Sequence, residues 1–109
     1  MNEARLAQLL AFLEEDPDDP FTSYAIATEY LKSDKKKARY YFEILLQKHP
    51  DYVATYYHAA HLYWDLNLHR EAVQTFEQGI TKAREQQDHL ALRELRSAYE
   101  QYQFEVDDD

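Results

Sequence analysis

The chain should fold entirely as α-helix, in about six helices stacked as antiparallel pairs. Three features of its 109 residues predict this. Apolar residues recur at helical spacing in one segment after another. Turn formers are scarce, with one Gly and three Pro, too few for a sandwich or barrel that must turn often. The chain also matches itself at an offset of about one helix pair, the sign of a helical repeat.

The elements follow in order. Residues 1–16 form a first helix on the apolar stripe Leu6, Leu9, Leu10 and Leu13. Asp19 and Pro20 supply an N-cap and a first helical residue for a second helix, which runs to about Lys32 and is apolar on more than one face. Asp34 caps a third, carried by Ala38, Tyr41, Phe42, Leu45 and Leu46. Pro17 and Pro50 lie just past helix ends. A fourth helix, from about Tyr52 to Leu66, holds the stretch YYHAAHLYW from Tyr56 to Trp64. The fifth carries Ala72, Phe76, Gly79, Ile80 and Ala83. Asp88 caps a sixth over residues 88–103, with Leu92, Leu95, Tyr99 and Tyr102 on its apolar side. Residues 104–109 are then an acidic tail.

Composition narrows the function. With no cysteine there is no disulfide framework and no Cys-based zinc site. The formal net charge is −9 and the only basic cluster is Lys35-Lys36-Lys37, which argues against nucleic-acid binding. No apolar run approaches the ~20 residues of a membrane span, and no signal-peptide pattern opens the sequence, so no membrane and a cytoplasmic location are expected. An enzyme is not expected. There is no Gly-rich phosphate loop, no GxSxG and no cysteine nucleophile. The acidic runs Glu14-Glu15-Asp16 and Asp107-Asp108-Asp109 sit at element ends, where solvation explains them. Asp16, Asp18 and Asp19 lack the spacing and the glycine of a calcium loop. His58 and His61 are one helical turn apart, as metal ligands can be. A metal site needs three or four ligands, and His49, His69 and His89 lie near helix ends. No metal and no cofactor are expected.

The self-match is specific. At an offset of 33, Tyr24, Ala27, Tyr30 and Leu31 fall on Tyr57, Ala60, Tyr63 and Trp64. At 34, Ala38 and Phe42 fall on Ala72 and Phe76, so the second copy holds one more residue in the turn near Asn67 than the first has at Ser33-Asp34. Leu9, Leu13 and Pro17 match Phe42, Leu46 and Pro50, which makes the first helix a half-copy. A single domain results: a half-repeat (1–16), two full pairs (17–50 and 51–86) and a capping helix.

This pattern resembles the tetratricopeptide repeat family, and more narrowly short bacterial proteins of that class. The matching positions are Ala27 and Ala60, Tyr30 and Tyr63, Ala38 and Ala72, Phe42 and Phe76, with Gly79 and Pro50 at later ones. Three departures stand out. Leu45 replaces a small residue, which predicts looser or shifted packing of the first pair. Arg84 replaces a proline, so the fifth helix should run on toward Gln86. Ser23 replaces a large ring, whose space Phe21 is expected to take.

The resemblance implies a superhelical stack whose concave groove is lined by first-helix side chains. Here those are Phe21, Tyr24, Thr28 and Leu31, then Ala54, Tyr57, His61 and Trp64, with Lys32 and Asp65 at the rim. Tyr24, Tyr57, His61 and Trp64 are expected to form one patch. Such a groove suits a protein or peptide partner. The Lys, Asn and Arg set with which some members clamp a C-terminal carboxylate is not met; Lys32 and Arg93 or Arg96 are the nearby cations. Two readings stay open: an interaction module with an open groove, or a homo-oligomer, such as a homodimer, whose rings are covered by a second subunit. The sixth helix could also cover them. Tyr56, Ala59, Ala60 and Tyr63 are expected to face neighbouring helices as core.

Overall fold

The computed structural model describes residues 2–107. Among them are six α-helices: α1 (Glu3–Glu15), α2 (Pro20–Tyr30), α3 (Lys35–Lys48), α4 (Ala54–Asp65), α5 (His69–Glu85) and α6 (His89–Asp107). The chain divides into two compact units, one ending at Thr55 and the other beginning at Tyr56.

In the first unit α2 packs against both α1 and α3, which explains why α2 is apolar on several faces while α1 and α3 are not. Leu6 and Leu9 of α1, Ile26 and Ala27 of α2, and Ala38, Phe42 and Leu45 of α3 are all buried. Leu45, expected to loosen the pair, has no exposed surface; its extra volume sits inside the core. Capping follows the sequence closely. The Asp19 carboxylate accepts from Phe21 N, and that of Asp34 accepts from Lys37 N at 3.1 Å. At the far end of α1, Asn2 N donates to Glu29 Oε1 at 3.0 Å and Arg5 Nε lies 3.7 Å from Glu29 Oε2. This ties the start of α1 to the end of α2. The Asn2 hydrogen bond, helped by Lys32 and Arg5, holds the Glu29 carboxyl below its usual range. On the other side of α2, the Tyr30 ring stacks on Tyr41 at 6.0 Å and carries Lys37 Nζ over its face at 5.4 Å.

In the second unit α5 packs on α6 through ring contacts, stacked between Phe76 and Tyr99 and tilted between Phe76 and Tyr102. Phe76 and Tyr99 are 5.2 Å apart, and Phe76 and Tyr102 are 5.8 Å apart. Tyr56, Ala59, Ala60 and Tyr63 of α4 are buried, as expected of core positions. At Gly79, α5 approaches α4 closely: a β-carbon there would stand 2.5 Å from Tyr56 Cβ. The single glycine of the chain therefore serves packing within a helix, not a turn.

The extra residue of the second copy is visible in the backbone. In the first copy Asp34 N donates to Tyr30 O; in the second, Leu68 N donates to Tyr63 O, one residue further back. Asn67, at φ 59°, takes the left-handed turn that this longer closure needs. Gln87, at φ 57°, closes α5 in the same way, with Asp88 N donating to Ala83 O. As Arg84 in place of proline implied, α5 continues to Glu85 with Gln86 as its cap.

Two expectations need correction. Phe21 does not fill the space beside Ser23: the ring is 56% exposed while Ser23 is buried. Asp19 holds the Phe21 amide at the first turn of α2, where the chain is still entering the helix. The sixth helix does not stop near residue 103 but reaches Asp107, because Val106 continues the stripe of Tyr99 and Tyr102. Asp108 and Asp109 of the expected acidic tail lie outside the described residues. Of the readings left open for the groove rings, cover by the sixth helix holds in part at Trp64, which is half-buried with the Tyr102 ring edge-on at 5.2 Å.

Candidate functional site

In the second unit the expected groove residues Tyr57, His61 and Trp64 do come together. They lie on one face of α4 at i, i+4 and i+7, as the helical period requires. Their rings form a run, Tyr57 to His61 at 4.7 Å and His61 to Trp64 at 5.6 Å. Behind the run, Phe76 meets His61 edge-on at 6.1 Å. Helix α6 supplies the ring against Trp64 and also an opposing wall. Tyr57 and His61 share an open cleft of about 370 Å3 with Arg93, Glu94, Ser97, Ala98 and Gln101 of α6. Asp65 is exposed at the end of α4.

Of this wall, sequence reasoning named only Arg93, as a nearby cation. Glu94, Ser97 and Gln101 were missed. The signal was present: Glu94, Ser97 and Gln101 stand at i, i+3 and i+7, a polar stripe about 100° round the helix from Leu95, Ala98 and Tyr102 and flanking it. Which helix that stripe faces depends on tertiary packing.

The electrostatics favour neutral imidazoles. Burial pushes the pKa of His61 down, against an opposing pull from Asp65. Burial, followed by the neighbouring His61, lowers His58, with Glu94 opposing. His61 Nε2 is buried with no hydrogen-bond partner. Elsewhere in the unit, His69 Nδ1 lies 2.9 Å from the Tyr102 hydroxyl. Among the described residues no three His, Asp or Glu side chains gather in a metal-binding group, and no helix is long and apolar enough to cross a membrane.

In the first unit Tyr24, Thr28 and Leu31 are half-buried along α2 and Lys32 is exposed beyond it. Tyr24 meets Tyr52 edge-on at 5.8 Å, and Thr28 donates its hydroxyl to Ala25 O. Phe21 stands apart, lining a separate cleft with Phe12 of α1.

No family model matches the chain, and no curated protein matches it. Solved structures do. A crystal structure of a tetratricopeptide repeat domain protein from Salinibacter ruber is 44% identical over 78% of this chain and 96% of that one, with a TM-score of 0.74. A solution NMR structure of a tetratricopeptide repeat domain protein from the same organism is 45% identical over 80% of this chain and 89% of that one, also at 0.74. The identity extends over most of both chains, and the repeat positions Ala27, Ala38, Phe42, Ala60, Ala72 and Phe76 are buried as the repeat requires. The chain belongs to the tetratricopeptide repeat family.

Proposed function

We propose that the chain is a non-catalytic protein-interaction module that holds a peptide segment of a partner in the cleft between α4 and α6. Membership of the repeat family supports the interaction role. The observation that carries the finer reading is the composition of the cleft: aromatic rings on one side, and Arg93, Glu94, Ser97 and Gln101 on the other. Rings provide contact area at low entropic cost, and a few polar groups fix orientation. Adjacent charges of both signs can meet a peptide's carbonyls, amides and one charged side chain. With a net charge of −9, the surface favours a partner carrying basic residues and an affinity that falls with salt. Partner contacts along α2, through Tyr24, Thr28, Leu31 and Lys32, belong to the same proposal and are tested by their own variants.

The test starts from peptides selected against the native protein by display. Tyr57→Ala and Arg93→Ala should each weaken a selected peptide about tenfold or more, which is ~1.4 kcal/mol. Gln78→Ala, on the exposed side of α5, should leave affinity unchanged. Selected peptides that bind the folded Tyr57 and Arg93 variants as tightly as the parent would overturn the cleft as the site.

Self-association is the second reading. Leu90 and Phe104, exposed on α6 and fourteen positions apart, lie near one face of that helix. A mass that doubles with concentration by light scattering, and stays monomeric in Phe104→Ser, would establish it.

A further inference from the structure

The first unit carries an apolar cleft that its own fold does not use. Helix α1 buries Leu6 and Leu9, yet Phe12 is 46% exposed and Phe21 is 56% exposed. Both rings line one cleft of about 440 Å3, together with Arg5, Gln8, Leu9, Glu15, Asp16, Asp19 and Thr22. Large exposed phenyls facing a common cleft are an interaction feature more often than a folding one.

Charge says what would sit there. The turn from Glu14 to Asp19 holds five carboxylates, Glu14, Glu15, Asp16, Asp18 and Asp19, and no base. The cleft lies at the C-terminus of α1, where free carbonyls add negative potential, and the last turn of that helix has no basic residue to offset it. Asp19 is partly committed, accepting from Phe21 N and from the Thr22 hydroxyl at 2.9 Å. Arg5, the one cation in the lining, lies 3.7 Å from Glu29. Glu15 and Asp16 are exposed at the rim. A flat cation that lies on a ring face and takes a carboxylate edge-on matches this set, and that cation is a guanidinium.

We propose that the Phe12–Phe21 cleft docks an arginine-bearing segment of a partner protein, its guanidinium against the phenyl rings and its charge met by Glu15 and Asp16. This surface is distinct from the α4–α6 cleft and does not depend on it.

The probe is a set of capped synthetic octapeptides with one Arg-Leu pair in a Gly-Ser background, and the same peptides with citrulline or Lys for Arg. Citrulline keeps the shape of arginine and removes its charge. Titrated into isotopically labelled full-length protein, the Arg peptides should shift the amide signals of Phe12, Asp16 and Phe21. Citrulline should weaken binding at least tenfold, and Lys should weaken it less. Phe12→Ser should weaken the Arg peptide about tenfold at an unchanged melting temperature. The double variant Glu15→Gln, Asp16→Asn should do the same and removes charge alone, so it decides the matter should Phe12→Ser fail to fold. Equal binding of the citrulline peptide, shifts that map away from α1 and α2, or no shift at all would each overturn the proposal. Concentration-dependent changes at the same amides without peptide would name a second copy of the chain as the occupant instead, and would overturn it too.

Discussion

Replacing Gly79 by alanine tests how closely α4 and α5 approach. On an exposed helix position the change would stabilise by ~1 kcal/mol, because alanine is the better helix former. Here the new β-carbon would stand 2.5 Å from Tyr56 Cβ, 3.0 Å from Tyr56 Cγ and 3.2 Å from Leu95 Cδ1. Carbon atoms rest at ~3.5–4.0 Å, so the helices must part by about 1 Å. No rotamer relieves the contact, since Tyr56 Cβ is one bond from the backbone. Overpacking of this kind costs ~1–3 kcal/mol, and an anchored clash belongs near the top of that range. The balance is a loss of about 2 kcal/mol, or roughly 10 °C in melting temperature for a chain of this size. Thermal and urea unfolding followed by circular dichroism would measure it. Gln78→Ala, next along α5 and exposed, should stay within about 0.5 kcal/mol of the parent. A Gly79→Ala protein as stable as the parent, or more so, would refute the close approach.

Other expectations follow from burial and charge. Phe42→Ala and Phe76→Ala remove rings with essentially no exposed surface, and each should cost ~3–5 kcal/mol by chemical unfolding; losses below about 1 kcal/mol at both would break the repeat register. Ala60→Leu, at a fully buried position, should overpack α4 and cost ~1–3 kcal/mol. Stability should also depend on pH. His58 and His61 have folded-state pKa values below the ordinary value of about 6.5, so the unfolded chain binds more protons between the two. Their contribution is fully present above about pH 6.5 and is lost as pH falls through the depressed folded values. The melting temperature should drop on acidification from neutral pH, and a His58→Gln, His61→Gln protein should drop less. Glu29, also depressed, adds a second loss below its ordinary range of about 4.3, one that Glu29→Gln should remove.

Much of this fold was legible because burial leaves a periodic trace. Ala27, Ala38, Phe42 and their partners in the second copy had to be small or aromatic at fixed spacing, since each meets a neighbouring helix. Caps were legible for the same local reason: Asp19, Asp34 and Asp88 act within three residues of themselves. What lay beyond the sequence was long-range or carried no residue signal. Left-handed closures usually announce themselves with glycine, and here Asn67 and Gln87 make them. Val106 stands in an acidic run that hides the continuation of α6 to Asp107. Phe21 was placed by its repeat position, whereas its exposure follows from the Asp19 cap that begins the helix. The wall of the α4–α6 cleft depends on how α6 packs against α4, a long-range contact that leaves no local pattern.

The most direct test of a partner site in that cleft is a residue-resolved map. Isotopically labelled protein would be titrated with a display-selected peptide while amide shifts are followed. Shifts should concentrate at Tyr57, His61, Arg93, Glu94, Ser97 and Gln101, with a change in the fluorescence of Trp64, the only tryptophan. Saturable binding whose shifts fall on α3 or on the exposed face of α5, with the cleft residues and Trp64 unmoved, would contradict it.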